Sequence, residues 1–229
     1  MRRIWNDLTS MRLLLALSTC ICLISCSQDK TTETIRSAYY WSTTWQMDNS
    51  KKNFIQKHHI KRLYVRFFDV VRDADGEIMP NATLQFDTAD EKRTTEEKEK
   101  ESLMPKGMEI IPVVYIVNDC LKANTKTNPI SSDKSGRKSS DETPRQLADK
   151  ILNRILQMNE ANDIGNVKEI QIDCDWTAST QEAYFEFLHF LKEKAKDKQI
   201  QLSATIRLHQ LSMTPPPVDR GILMMYNTG

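Results

Sequence analysis

Residues 200–209 read IQLSATIRLH. Leu202, Ala204, Ile206 and Leu208 fall on one face and Ser203, Thr205, Arg207 and His209 on the other, the two-residue period of a β-strand. The segment 169–176, EIQIDCDW, repeats the pattern, with Ile170, Ile172 and Cys174 against Gln171, Asp173 and Asp175. A parallel strand layered between helices is apolar on both faces. Parallel strands that are polar on one face point instead to a sheet closing on itself. The polar row then lines a lumen and turns towards the mouth formed by the C-terminal strand ends.

The parallel assignment follows from what separates these strands. Residues 38–45 (AYYWSTTW), 62–70 (RLYVRFFDV), 109–117 (EIIPVVYIV) and 221–226 are the other expected strands, making six. Pro112 predicts a bulge or an edge position in the third. Between them lie helical segments. A short one follows Asn49 or Ser50 as cap and carries Phe54, Ile55 and His58. Thr143-Pro144-Arg145-Gln146 has the cap, first-turn proline and reciprocal glutamine of a helix start. It leads into Leu147, Ile151, Ile155 and Met158 at helical spacing. Ser179-Thr180-Gln181-Glu182 reads as a second capping box, before Tyr184, Phe187, Leu188, Leu191 and Ala195 on one face. Strands alternating with helices make an α/β domain with a parallel sheet.

The remaining stretches are polar. Asp73-Ala74-Asp75-Gly76 is a turn that lacks the downstream ligand spacing of a calcium loop. Residues 90–101 form a charge run, expected to be a solvated helix or loop, and 118–143 read as a long surface loop.

Charge excludes one class of partner. The chain of 229 residues has 32 Lys+Arg and 31 Asp+Glu, interspersed, which is no footprint for nucleic acid. No metal is expected: there is no C-x-x-C or H-x-x-x-H, and His58-His59 are adjacent and point apart. Nothing calls for a cofactor.

The N-terminus reads as a targeting segment. Arg2, Arg3 and Arg12 precede the apolar run 13–24, a length that suits a signal-peptide core. Leu23-Ile24-Ser25-Cys26 resembles a bacterial lipobox, in which the cysteine is acylated and becomes the first mature residue. The alternative is an ordinary secretory signal cut at a small residue. The organisation expected is a lipoprotein signal peptide over 1–25, a tether over 26–36 and the barrel domain over 37–229. Acyl chains on Cys26 would anchor it to the membrane on the periplasmic or surface side of the cell envelope. Of the five cysteines, Cys120 and Cys174 stay in the domain. They read as buried thiols, a disulfide being open to them in an oxidising compartment.

The stretches LYVRFFDV (63–70), EIIPVVYI (109–116), IQIDCDWT (170–177), LSATIRLHQL (202–211) and GILMMYNTG (221–229) resemble a family of bacterial lipoproteins with a glycoside-hydrolase-like TIM barrel. The resemblance implies a (β/α)8-type barrel, hydrolase character and a carbohydrate ligand. An eight-stranded barrel needs about 250 residues. With the sixth strand ending at the last residues, two βα units are expected to be missing, by truncation rather than by a design that hides two open edges.

Candidate site residues follow from the polar row. Asp175 is the first choice for general acid or base, with Asp173 or Asp69 as the partner carboxyl that glycosidases require. Asp-x-Asp on a barrel strand also resembles substrate-assisted sugar hydrolases, although Thr177 stands where their glutamate would be. Arg66 and Arg207 can bind a carboxylate, either a ligand's or, as a structural lumen pair, that of Asp173. His209 can donate a proton or a hydrogen bond. Trp41 and Trp176, near strand ends, offer flat faces for sugar rings, and Tyr226 and Asn227 close the row. Trp45, Tyr40, Met224 and Met225 are expected in the core. The alternatives to a hydrolase are a non-catalytic carbohydrate- or envelope-binding lipoprotein using the same cleft, or an inactive truncated fragment.

Overall fold

A computed structural model describes residues 34–86, 105, 107–122, 143–165 and 167–225. The elements run β1 (Ser37–Tyr40), β2 (Thr44–Trp45), α1 (Asn49–Lys57), β3 (Arg62–Arg72), β4 (Ile78–Asn81), β5 (Gln85–Phe86), β6 (Glu109–Ile116), α2 (Pro144–Ala161), β7 (Glu169–Cys174), α3 (Gln181–Asp197), β8 (Gln201–Arg207) and β9 (Arg220–Met224). Single 3-10 turns lie at Asn118–Leu121 and Leu208–Ser212. All belong to the compact unit Ile35–Gly229.

The main sheet has the order β1-β3-β6-β7-β8-β9, every neighbouring pair parallel. These are the six expected strands, in chain order. The expected first strand breaks after Tyr40, and its end, β2, pairs with β5 instead. The antiparallel β4 against β3 has no counterpart in the sequence reading.

Stepping always to the next strand in one direction rolls a twisted sheet into a curve. The curvature is visible in contacts between distant strands. In a flat sheet β3 and β9 would stand four spacings apart, about 19 Å. Here Arg220 Nη2 of β9 donates to Tyr64 Oη of β3 at 3.0 Å, and Tyr39 Oη of β1 donates to Gln171 Oε1 of β7 at 2.9 Å. The arrangement is that of a partial, TIM-like barrel.

The two faces divide as the alternation predicts. Outside, Ile110, Val114, Ile116, Ile170, Ile172, Cys174 and Leu202 pack against Leu147, Ile151 and Ile155 of α2 and Tyr184, Phe187, Leu188, Leu191 and Ala195 of α3. Complete burial of one such aliphatic side chain stabilises by about 1.5–3 kcal/mol, so this layer holds the domain together. Inside, Tyr64, Ile111 and Val113 form a second small cluster with Tyr39 and Ile222. Below it Arg62 binds Glu109 (Nη2 to Oε2, 2.7 Å) and Arg220 binds Glu169, a polar layer at the N-terminal strand ends.

Local starts and stops differ from expectation in places. Pro112 sits in an interior strand opposite Val65, and the β6–β7 ladder begins one residue later at Val113–Gln171. The bulge falls on the neighbouring strand, between Arg66 and Phe68. Asp48, not Asn49 or Ser50, caps α1 by accepting from Lys51 N at 2.9 Å. Thr180, not Ser179, precedes α3, and its hydroxyl donates to Asn118 Oδ1 at 2.6 Å instead of capping. The capping box of α2 is as expected, with Gln146 N donating to Thr143 Oγ1 and Thr143 N to Gln146 Oε1. Thr143→Ala is therefore expected to cost about 1 kcal/mol, read as a drop of a few degrees in a thermal melt.

Asp73 Oδ1 accepts from Asp75 N and Glu77 N, which makes 73–77 a side-chain-closed turn. Cys120 and Cys174 are buried and not joined in a disulfide, and burial pushes the Cys174 thiol far above its usual range. Met224 is buried as expected, but Met225 is 79% exposed because β9 ends before it and no described element covers it. The charge run 90–101, the targeting segment and most of 118–143 lie outside the described residues. Among the described residues no helix is long and apolar enough to cross a membrane.

Candidate functional site

The site is built at the C-terminal strand ends, where strand register sets the levels. Asp69 pairs with Tyr115, and Tyr115 with Asp173, so β3, β6 and β7 present Asp-Tyr-Asp across one level. Thr205 of β8 extends it, donating to Asp173 Oδ1 at 2.6 Å. Asp69 reaches this level through the bulge. On a regular strand, residues three apart point to opposite faces. The extra residue at Phe67 turns Arg66 and Asp69 to the same side, where Arg66 grips both carboxylate oxygens, Nε to Oδ1 at 2.7 Å and Nη2 to Oδ2.

Asp173 is held by a second arginine. Arg207 Nη2 donates to its Oδ1 at 2.7 Å, with the Asp173 side chain 4% and that of Arg207 15% exposed. Burial holds the Asp173 carboxyl above its usual pKa, with Thr205 and Arg207 pulling the other way and Asp175 adding a small further rise. Tyr115 is pushed up by burial and then by the Asp173 charge. Of the two expected partners for Asp173, Arg207 is the one found.

Asp175 stands one step further out, beyond the end of β7. Its Oδ1 lies 3.4 Å from His209 Nε2, and both side chains are more than half exposed. His209 is not on β8 as expected. The strand stops at Arg207 and a 3-10 turn follows, locked by Gln210: Arg207 N donates to Gln210 Oε1 at 2.8 Å, and Gln210 Nε2 donates to Trp176 O at 2.9 Å. Gln210 thereby ties the β8 exit to the β7 exit and sets His209 beside Asp175.

The two candidate tryptophans part company. Trp41 is 37% exposed, stacked on Tyr39 (5.7 Å between centroids, 6° between planes), with the Arg66 guanidinium 5.9 Å from its ring centroid. Tyr39 stacks in turn on Tyr64 at 4.8 Å, so three rings climb the inner face to an open indole at the mouth. Trp176 is fully buried against Tyr184 and Phe185. It shares the even-numbered face of Ile170, Ile172 and Cys174, which the outer core covers, so it offers no surface to a ligand. Trp45 and Tyr40 pack together in the core as expected.

The structure thus gathers Arg66, Asp69, Asp173, Asp175, Arg207, His209 and Trp41 at one edge and removes Trp176. Tyr226, Asn227 and Cys26 lie outside the described residues. The sequence reading missed Tyr115, Thr205 and Gln210. Parity on its own strand placed Tyr115 on the inner face, but its apolar neighbours hid it. Among the described residues no group of His, Cys, Asp and Glu is placed to hold a metal ion.

Thr177 is exposed, and its hydroxyl contacts Ser179 Oγ at 3.0 Å. An alcohol at this position cannot protonate a leaving group as a carboxylic acid does. Of the three candidate carboxyls, Asp69 and Asp173 are committed to arginines, and Asp175 is the one held by neither.

No protein-family model matches the chain, and no curated protein matches it. Among solved structures, the Bacillus cereus spore cortex-lytic enzyme SleL is similar at 22% identity and TM-score 0.45, over 86% of this chain and 42% of that one. A chitinase from Chromobacterium violaceum is similar at 12% identity and TM-score 0.41, over 86% and 57%. Catalytic domain 2 of an Ostrinia furnacalis Group II chitinase gives 13% and 0.40, over 76% and 43%. The chain spans less than two thirds of each. At these TM-scores the likeness adds nothing to the assignment of the site.

Proposed function

We propose that the mouth of this half-barrel binds a glycan, and that the chain is a glycoside-hydrolase-like lipoprotein held at the cell envelope by acyl groups on Cys26. The part-exposed indole of Trp41 carries this reading. An indole stacked from behind and flanked by a clamped Arg–Asp pair is a rigid platform for the apolar face of a sugar ring, with fixed donors and acceptors for its hydroxyls. Arg66–Asp69 and Arg207–Asp173 then act as positioned hydrogen-bonding groups. Their mutual engagement is what a binding site needs and what acid–base chemistry does not.

The test is a glycan microarray spanning bacterial and host polysaccharides. The protein is expected to select one glycan class, and Trp41→Ala is expected to lose that signal while melting within about 1 °C of wild type, as for a substitution that leaves the core intact. An array without hits, or one unchanged by Trp41→Ala, overturns the proposal.

A second reading, hydrolysis, is favoured by the approach of Asp175 to His209. In it Asp175 serves as acid or base and the sugar is cut as well as bound. Incubating the selected glycan with wild type and Asp175→Asn separates the two: shortened products from wild type alone support hydrolysis, and an intact glycan with both supports binding.

A further inference from the structure

Among the described residues the exposed cations without an ion-pair partner gather at one end of the half-barrel, away from the mouth. At the N-terminal strand ends Arg36, Lys57, Lys61, Lys168, Lys196 and Lys198 are exposed. The backbone fixes them at one level. Lys61 N donates to Arg36 O at 2.9 Å, Glu109 N to Lys61 O at 3.0 Å, and Gln201 N to Lys168 O at 2.9 Å, so these loops lie side by side beneath the sheet. The exposed acids at this end are Glu160, Asp163, Asp197 and Asp219. Asp219 is occupied by Lys192 (2.8 Å) and by Leu202 N (2.9 Å). None of the five lysines forms a salt bridge among the described residues. Among the described residues at the opposite end, Asp75, Glu77, Asp175 and Glu182 are exposed, Asp119 is paired with Lys122 (2.6 Å), and Lys52 and Arg145 are exposed beside them, so that end has no comparable cluster of unpaired cations.

Helix chemistry explains part of the pattern. α1 and α3 end here, and Lys57, Lys196 and Lys198 complement their C-terminal dipoles. Arg36 belongs with them, since its Nη1 donates to the carbonyl of His58, the C-cap of α1, at 3.4 Å. Helix chemistry does not explain Lys61 and Lys168, which sit in the loops entering β3 and β7. The chain also enters the domain from this side, through Ile35 and Arg36 into β1.

We infer that this basic end is a docking surface for an anionic phospholipid bilayer. The inference rests on acylation of Cys26 as proposed above. Cys26 is eleven residues from Ser37, at most roughly 35–40 Å of extended chain, so an anchored domain stays close enough for its cations to find the headgroups. Attraction of clustered lysines to an anionic surface acts within a Debye length, about 8 Å at physiological salt, which selects the basic end over the opposite one. The domain then stands with its mouth pointing away from the membrane, towards polymeric glycan.

The test uses the processed protein purified from membranes and reconstituted in vesicles carrying nitroxide lipids. A fluorophore is placed at Lys198→Cys or at Ser179→Cys, the two ends of α3, about 25 Å apart along the helix. Cys120 and Cys174 are buried and stay unlabelled. In vesicles with roughly one-third phosphatidylglycerol the Lys198→Cys label is expected to be quenched and the Ser179→Cys label not. Quenching should fall in pure phosphatidylcholine and at high salt. The combined change Lys57→Glu, Lys61→Glu, Lys168→Glu is expected to weaken the lipid dependence about tenfold or more. Equal quenching at both positions in acylated protein, or quenching indifferent to lipid charge and salt, overturns the surface and leaves the anchor. Mass spectrometry that finds Cys26 unmodified, while the anionic-lipid dependence persists, refutes the anchor and leaves the surface.

Discussion

Arg207→Met is expected to lower the melting temperature by about 10 °C at neutral pH, from the loss of roughly 3–5 kcal/mol when one partner of a buried ion pair is removed. Asp173 would be left with Thr205 as its hydrogen-bond donor, its carboxylate almost wholly out of water. The deficit should depend on pH in one direction. The folded-state pKa of Asp173 is already raised above its unfolded value, burial outweighing its donors. The folded state therefore binds the proton more tightly than the unfolded chain does. Stability from this group is greatest below the unfolded pKa and is lost as pH rises through the raised folded value. Without Arg207 that value rises further, so the penalty should be largest at neutral pH and shrink on acidification. Denaturant melts of wild type and variant across the acid range check both size and sign. Asp173→Asn removes the same ion pair from the other side, and the double variant should lose less than the sum of the two, because the interaction is broken only once.

Trp176→Ala is expected to cost about 3–5 kcal/mol, enough to leave a marginal domain largely unfolded at physiological temperature. The ring is the largest of the fully buried side chains and packs at 5.9 Å from Tyr184 and 5.3 Å from Phe185. Its Nε1 has no hydrogen-bond partner among the described residues, nor has Tyr184 Oη, so the contribution is packing rather than polar bonding. Trp176→Phe should therefore keep most of the stability. Trp41→Ala, at a half-open position, should leave it within about 0.5 kcal/mol. Chemical denaturation of the three variants side by side checks the contrast.

That contrast marks how far the sequence could be read. Alternation along 200–207 and 169–174 named the inner and outer faces correctly, because burial on one face of a strand enforces a strict period of two. The buried stripe of α3 was equally legible. Parity also held the answer for Trp176, an even-numbered residue after Ile170, Ile172 and Cys174. Proximity to the strand end suggested the mouth instead. Asp69 shows the opposite case. By parity it belongs with Leu63 and Val65 on the outer face, and it joins Asp173 because Phe67 is an extra residue in β3. Arg-Phe-Phe-Asp contains no glycine or proline to announce a bulge, and the register that creates it depends on pairing with β6. His209 was placed by extending a strand that ends at Arg207. It still meets Asp175, through a turn that Gln210 closes on Arg207 N and ties to another loop by its bond to Trp176 O. Contacts of that kind join residues far apart in the chain, and no local pattern encodes them.

Isothermal titration of the glycan that the array selects is the most direct test of a glycan site at the mouth. Wild type should bind saturably with one site per chain, and Trp41→Ala should lose at least tenfold in affinity, the size expected when an aromatic anchor worth about 1.4 kcal/mol or more is removed. Equal affinity in wild type and Trp41→Ala, with both proteins folded, would place the ligand elsewhere and contradict a glycan site at the mouth.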